Sequence, residues 1–499
     1  MALGFAFLYL SGFFVALSSP FSIEYEGPCL WAANRLAHGL GIYDPQRLTQ
    51  APWEVIIYPP VYFLVSVPFL VFGGPSYWGL RLVSIIAFLV SLVSSYRLFS
   101  RTSESQLAVF IALLAFATFN PVLSWSLKGR VDMLSMAFSI VALDWFWSTY
   151  ENLEENKDDK KVSGTRLLFL YSPAILASVL SIYTKQPSVV VPLSIFLFLV
   201  AVKKLDQAII FGFSSAALGG LIFLSVNHWT DGGFLAHMRF LSQMPFSVDD
   251  LTKHLSWIGA DWAKIALLPL VMGLFLMRKK AGRELILPVL IAVTSGLITI
   301  YTLGTVYANV NHCLHFYWAL CWLLAIFACA APSVSGILVV VSSLVNACTM
   351  QMWLSTLTAS AQKVSQSERV LKSVDLRNTT MFVEDPAIAI KAGATPLFVD
   401  VATFIQIWQE NGKSMDDLKA DLRRRAYSAV VINKHDSQLE RPPYFWDEDF
   451  VKEVTDNYRF AGPVVGNGEI QNLYIRKEDP EQSNEGAGEE TPKDSAPDS

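Results

Sequence analysis

The chemistry this chain offers begins with two acids. Glu24 and Glu26 stand in "SIEYEGPCLWAANRLAHGLGIY", directly behind the apolar run Met1–Ser18. Pro28 suits the first position of a helix and Gly39 its end, so 28–38 reads as a short interfacial helix. It carries Leu30, Trp31, Leu36 and Ala37 among Asn34, Arg35 and His38. Glu26 then lies at the helix N-terminus, where the positive end of the dipole favours an ionised carboxylate, and an ionised carboxylate can serve as a general base. Glu24, two residues upstream, is the second candidate. The bland alternative for either is a helix-start carboxylate with no further role.

Further polar residues occur as short islands between apolar runs. They are Tyr58-Pro59-Pro60, Arg81, "KGRVD" (Lys128, Arg130, Asp132), "YTKQP" (Lys185, Gln186) and "YANVNHCLHF" (Tyr307, Asn309, Asn311, His312, His315). A base beside cations points to a phosphate leaving group. Lys185 and Arg81 would hold a lipid-linked phosphate at the bilayer edge, because cations stabilise the charge that develops there. Asp132 would pair with a cation or help to bind acceptor or metal, and His312 and Asn309 would touch phosphate or sugar. The carboxylates and histidines are compatible with a divalent metal, but no spacing specifies one. Taken singly, each residue is equally a snorkelling or loop charge. Their gathering on one side of a membrane is what gives the set weight.

That one-sidedness depends on the elements that carry them. The 499 residues are 53% hydrophobic and 16% charged, a composition of repeated bilayer-length apolar runs. Eleven spans are expected, near 1–18, 78–99, 104–123, 131–149, 166–184, 187–202, 207–226, 257–277, 284–304, 315–331 and 334–353. Met1–Ser18 lacks a basic leader region and a small-residue cleavage site, so it reads as the first of these helices. The stretch 61–73 is short and holds Pro68, which favours an interfacial or re-entrant segment. With 61–73 not crossing and the N-terminus inside, twelve Lys/Arg fall in four short inner loops: Arg97, Arg101, Lys157, Lys160, Lys161, Arg166, Lys203, Lys204, Arg278, Lys279, Lys280 and Arg283. All the polar islands then face the outside.

From about residue 359 the pattern changes to short strands ("TTMFVED", "YSAVVINK", "IQNLYIRK") alternating with helical stretches at 401–411, 414–425 and 447–457. A small α/β domain over 359–477 on the extracytoplasmic face is expected, following a transmembrane part over 1–358. Beyond it, 478–499 holds eight acids against one lysine and no aromatic residue, the composition of a disordered tail. Five cysteines without a CxxC pair support neither a disulfide framework nor a cysteine metal site. Nothing suggests nucleic-acid binding. The lack of an internal repeat argues against a transporter or flippase of lipid-linked sugars, the main competing reading.

"YEGPCLWAANRLAHGLGIYDP…IIYPPVYF", "KGRVDMLSMAF" and "YTKQPSVVVPL", in that order, resemble the GT-C glycosyltransferases, in particular the bacterial relatives of protein O-mannosyltransferases and of the aminoarabinose transferases of lipid A. The resemblance covers residues 1–353. It implies a polytopic GT-C fold with a long first outer loop (19–77) bearing juxtamembrane helices, in a bacterial plasma membrane. It implies inverting transfer of a sugar from a polyprenyl-phosphate donor to a glycan, lipid or protein acceptor. It also implies that an acid of the first outer loop is the base, which falls on Glu26. Asp132 matches the family's second acidic position, and Lys185 its lysine at the donor phosphate. Many members carry Asp-Glu where this chain has Tyr25-Glu26, which leaves the choice between Glu26 and Glu24 open. On this reading Glu26→Gln abolishes transfer and leaves folding intact.

Overall fold

The computed structural model describes residues 2–23, 25–155, 162–242, 244–260, 271, 282–305, 308–361, 364–433, 446–467 and 469–477. Glu24, Tyr307, most of the expected span 257–277 and the acidic tail 478–499 lie outside the described residues. The helices that concern the site are α1 (Ala2–Ser18), α2 (Gly27–Ala37), α3 (Val61–Gly73), α4 (Tyr77–Thr102), α5 (Gln106–Thr118), α6 (Asn120–Ser126), α7 (Val131–Glu155), α8 (Gly164–Ile182), α9 (Val190–Ala201), α10 (Leu205–Trp229), α11 (Gly233–Ser242), α12 (Val248–Ala260), α13 (Ile286–Leu303), α14 (Leu314–Phe327) and α15 (Pro332–Ala361).

Among the described residues seven helices are long and apolar enough to cross a membrane, or eight if the bent pair α5 and α6 is one span. Two of the eleven expected spans, 1–18 and 187–202, form helices shorter than that. The stretch 61–73 is a single 13-residue helix, about 20 Å long, less than the apolar thickness of a bilayer. The expected straight span 104–123 is instead broken by 62° between α5 and α6. The cause is local. Pro121 has no N–H to offer the Ala117 carbonyl, and the Tyr9 hydroxyl of α1 donates to that carbonyl instead. Pro173 likewise deprives the Phe169 carbonyl inside α8, and Ser172 Oγ donates to it at 2.8 Å.

Within the bundle the large buried aromatics keep their polar atoms paired, as a low-dielectric interior requires. Trp318 Nε1 donates to Ser95 Oγ and Trp322 Nε1 to Thr102 Oγ1, both at 2.8 Å, which ties α14 to α4. Charges are sorted along the helices. Arg81 lies near the start of α4 and Asp132 in the first turn of α7. Further along, Arg97 of α4 pairs with Asp144 midway along α7 at 3.0 Å, and Glu154 at the end of α7 pairs with Lys204 at 2.5 Å.

The last part of the chain builds a mixed sheet in the order β2-β1-β3-β5-β4, from β1 (Thr380–Val383), β2 (Thr395–Pro396), β3 (Ala429–Asn433), β4 (Tyr458–Gly466) and β5 (Glu469–Arg476). β1, β2 and β3 run parallel, and β5 runs antiparallel to both β3 and β4. Met381–Val383 of β1 and Ala429–Ile432 of β3 are buried without alternation, which explains these short apolar runs. Helices α16 (Val364–Lys372), α17 (Pro386–Ala392), α18 (Val401–Glu410), α19 (Met415–Arg423) and α20 (Glu448–Asn457) flank the sheet.

The sheet is joined to the first loop of the bundle. Trp53 extends its edge: its N–H donates to Leu397 O at 2.7 Å and its carbonyl accepts from Val399 N–H at 3.2 Å. Trp53, Val55 and Phe240 share one apolar core with Phe398, Phe404 and Trp408. α17 seats on α2 so closely that a Cβ on Gly27 would stand 2.4 Å from Asp385 Oδ1 and 2.8 Å from Pro386.

Candidate active site

Glu26 precedes α2 but does not cap it through its side chain. The carboxylate turns back into the protein and is wholly enclosed. Oε1 accepts from Arg81 Nε at 2.9 Å and from Gly129 N–H; Oε2 accepts from Arg81 Nη2 at 2.5 Å and from Ile23 N–H at 2.7 Å. Arg81 is saturated in turn, donating to Ala16 O, Ser19 O and Phe21 O at 2.6 Å each, with the Tyr77 ring 4.9 Å from its guanidinium carbon. Every guanidinium donor group ends on Glu26 or on carbonyls of the last turn of α1 and the residues just after it, so the expected phosphate contact of Arg81 has an internal counterpart here. Gly129 permits the approach, since a Cβ there would meet Leu80 at 2.7 Å. All four hydrogen-bonding positions of the Glu26 carboxylate are thus filled, and no edge of it is exposed. The fold uses Glu26 to clamp α1, α2, α4 and the start of α7 together.

Asp132, in the first turn of α7, has a different environment. Oδ1 accepts from Lys185 Nζ at 2.6 Å and from Asn311 Nδ2 at 2.7 Å, while Oδ2 makes no hydrogen bond. Arg130 Nε stands 3.8 Å from Oδ2. The rest of that guanidinium is fixed, Nη1 on Tyr25 O and Nη2 on the Tyr58 hydroxyl, both at 2.9 Å. Burial pushes the Tyr58 phenol up to about 12, so it stays a neutral hydroxyl. Tyr25 adopts φ 60°, a left-handed conformation that turns its carbonyl to Arg130.

Four buried polar atoms of this cluster lack a hydrogen-bond partner: Asp132 Oδ2, Arg130 Nε, Asn311 Oδ1 and His312 Nδ1. Buried polar groups are nearly always paired, so a convergent group of exceptions marks a place built to receive a polar ligand. Two acceptors, a guanidinium N–H and an imidazole nitrogen suit a hydroxyl and an anionic oxygen together. Lys185 gives one of its three N–H groups to Asp132 and stands beside these atoms.

The structure thus separates the expected set. Asp132, Lys185, Arg130, Tyr58 and His312 come together; Glu26 and Arg81 form their own buried pair; Glu24 lies outside the described residues. Asn309 is exposed and its side chain accepts from Val310 N–H at 2.7 Å, capping the turn Val310–Cys313 instead of joining the cluster. Asn311, two residues on, takes that place. In a turn of three residues per revolution, neighbours two apart point in different directions, which composition alone does not distinguish. The donor set does not fit a divalent metal: among the described residues no three of His, Cys, Asp and Glu converge. Asp132 is met by Lys185 and Arg130, not by further acids.

No protein-family model matches the sequence, and no curated protein matches it. Solved structures do. ArnT from Cupriavidus metallidurans bound to undecaprenyl phosphate is similar with a TM-score of 0.63 at 12% identity, over 95% of this chain and 97% of that one. The apo structure of the same protein gives 0.61 at 12% identity, over 95% and 98%. The chain has the GT-C fold. At this identity the likeness concerns the fold. The GT-C likeness spans the bundle and the sheet alike, since it takes in nearly the whole of both chains.

Proposed function

We propose that this chain is a membrane glycosyltransferase that moves a sugar from a polyprenyl-phosphate donor to an acceptor hydroxyl on the extracytoplasmic side of a bacterial plasma membrane. The observation that carries the reading is the convergence of four unpartnered polar atoms around Asp132 and Lys185, at one end of a bundle with the GT-C fold. The ArnT relative is bound to undecaprenyl phosphate, the kind of donor carrier the reading requires.

In the mechanism we favour, Asp132 replaces Glu26 as the base, because its Oδ2 is open whereas the Glu26 oxygens are all bonded. The donor phosphate takes Lys185, which leaves Asn311 as the hydrogen-bond donor to Asp132 Oδ1. The acceptor O–H gives its proton to Asp132 Oδ2, and the oxygen forms a bond to the anomeric carbon from the face opposite the phosphate. The bond between that carbon and the phosphate oxygen breaks, so the configuration inverts. The departing polyprenyl phosphate carries the electron pair, stabilised by Lys185, with Arg130 and His312 beside it. Glu26 and Arg81 act only by holding Gly129 and the start of α7 in place.

The test is mass spectrometry of lipid extracts from wild type, a deletion strain, and the deletion carrying Asp132→Asn. One polyprenyl-phosphate sugar should accumulate in both defective strains. No accumulation in either removes the donor from the reading and makes a carrier of lipid-linked sugars the alternative to pursue.

A further inference from the structure

Beneath the Asp132 cluster lies a second polar layer that the reaction above does not use. Each of the three segments that meet at Asp132 carries another polar residue three or four positions on, about one turn deeper in the bundle. Ser135 follows Asp132 on α7, Ser188 follows Lys185, and His315 follows Asn311. Ser139 stands a further turn along α7. The three serines are buried. Ser135 Oγ and Ser188 Oγ are 2.5 Å apart, and His315 Nε2 lies 3.0 Å from Ser139 Oγ and 3.4 Å from Ser188 Oγ.

Each hydroxyl has one proton, and counting them fixes the direction of every bond. Ser135 gives its proton to Ser181 O at 3.1 Å, so its oxygen accepts from Ser188. Ser139 gives its proton to Ser135 O at 2.9 Å. Neither Ser139 nor Ser188 has a proton left for the imidazole, so His315 Nε2 carries one and donates to both. Two chains of hydrogen bonds thus start at His315 and end on the carbonyls of Ser181 and Ser135.

Both backbone hydrogen bonds of Lys185 run into this layer. Its N–H donates to Ser181 O at 2.9 Å, the carbonyl that the Ser135 hydroxyl also holds, and its own carbonyl accepts from Ser188 N–H at 3.1 Å. The turn Gln186–Val189, which begins at Lys185, is therefore fixed to α7 one turn from Asp132. The lysine side chain is long and flexible, so its 2.6 Å contact with Asp132 depends on where its backbone is held.

We propose that Ser135, Ser188 and His315 are positioning residues that hold Lys185 where it meets both Asp132 and the donor phosphate. The contact with a donor phosphate rests on the transferase reading.

Phosphorus NMR tests it, with undecaprenyl phosphate as the probe and the full-length protein in phosphatidylcholine nanodiscs. A phosphate monoester loses its second proton near pH ~6, and an adjacent ammonium lowers that midpoint. The bound lipid should titrate below the free lipid, and Lys185→Ala should abolish the difference. Ser135→Ala and His315→Leu should each at least halve it. His315→Gln, whose amide N–H replaces the Nε2–H, should keep it. Ser135→Ala puts a good helix former into α7 and carries the test if His315→Leu does not fold. A layer that serves stability alone would lower Tm in these variants and leave the midpoint of the folded protein unchanged, which overturns the role and leaves the transferase standing. Equal losses in His315→Gln and His315→Leu also overturn it, because the hydrogen bond would not then be the cause. A wild type whose bound lipid titrates like the free lipid removes the phosphate from Lys185, and with it both the donor contact of the transferase reading and this role.

Discussion

Arg81 meets Glu26 through two hydrogen bonds, Nε to Oε1 at 2.9 Å and Nη2 to Oε2 at 2.5 Å, with both side chains fully enclosed. Such a pair contributes little by comparison with an apolar replacement, but removing one partner leaves a bare charge in a low-dielectric interior. Arg81→Ala should therefore destabilise the protein by about 3–5 kcal/mol. Glu26→Gln should also lose stability, because the amide no longer neutralises Arg81. This differs from the folding-neutral Glu26→Gln expected from the sequence. Thermal unfolding of the detergent-solubilised variants measures both, and an unchanged Tm in Glu26→Gln would remove the clamp role.

Asp132→Asn preserves the shape and the acceptor for Lys185 and Asn311 but removes the proton acceptor at Oδ2. Transfer should fall by roughly 10²- to 10⁴-fold in kcat, the range of a lost general base. Acceptor KM should change little. Steady-state kinetics with the accumulated donor lipid would decide; a variant within about three-fold of wild type ends the role of Asp132 as base.

His237 fixes the first loop from both ring nitrogens. Nδ1 accepts from Ile56 N–H at 3.0 Å, and Nε2, which must then carry the proton, donates to Asp44 O at 3.1 Å. Burial holds the folded-state pKa below the usual 6.5. The unfolded chain therefore takes up the proton first, and stability is lost as pH falls through 6.5 and below. Wild type should lose Tm between pH 7.5 and pH 5.5 by more than His237→Gln does. The substitution itself should cost about 1–3 kcal/mol at pH 7.5 through the backbone groups it leaves unpaired. Equal pH slopes for the two proteins would show that the imidazole is not the titrating group.

Gly27 is the point where α17 reaches the loop that holds Glu26. A methyl there would overlap Asp385 Oδ1 and Pro386, both held in place: Asp385 accepts from Ala387 N–H and from Asn467 N–H at 3.1 Å. Gly27→Ala should cost about 1–3 kcal/mol, the range for overpacking, and loosen the sheet from the bundle. Hydrogen exchange at β1 and α17 reads this directly. Protection equal to wild type would mean that the contact yields without consequence.

The strands β1, β3 and β5 coincide with "TTMFVED", "YSAVVINK" and "IQNLYIRK", because short apolar runs between turn residues carry their own signature. Helices α18, α19 and α20 fall within a few residues of the expected stretches for the same reason. β4 has no such signature: its bulge between Phe460 and Gly462 interrupts the alternation that marks a strand. The break between α5 and α6 was present in the sequence as Pro121, hidden inside a continuous apolar run. Glu54 carries no signal of its own, because a single acid in a polar loop has the pattern of a solvated residue, and only the fold buries it.

Within the candidate site the sequence by itself determined which side chains stand near the helix ends. Hydropathy decides where apolar runs stop, and the polar islands are what remains between them. It also determined that Asp132, Lys185 and the 309–315 segment share one end of the bundle. Only the tertiary structure decided the pairing. Arg81 lies 55 residues from Glu26; Asp132 lies 53 from Lys185 and 179 from Asn311. An ion pair depends on separations of a few ångströms between groups on different helices, and no local pattern encodes them. Which acid is sealed by four hydrogen bonds and which keeps an open oxygen follows from how α1, α4 and α7 pack, and on that distinction rests the proposal of Asp132 as the base.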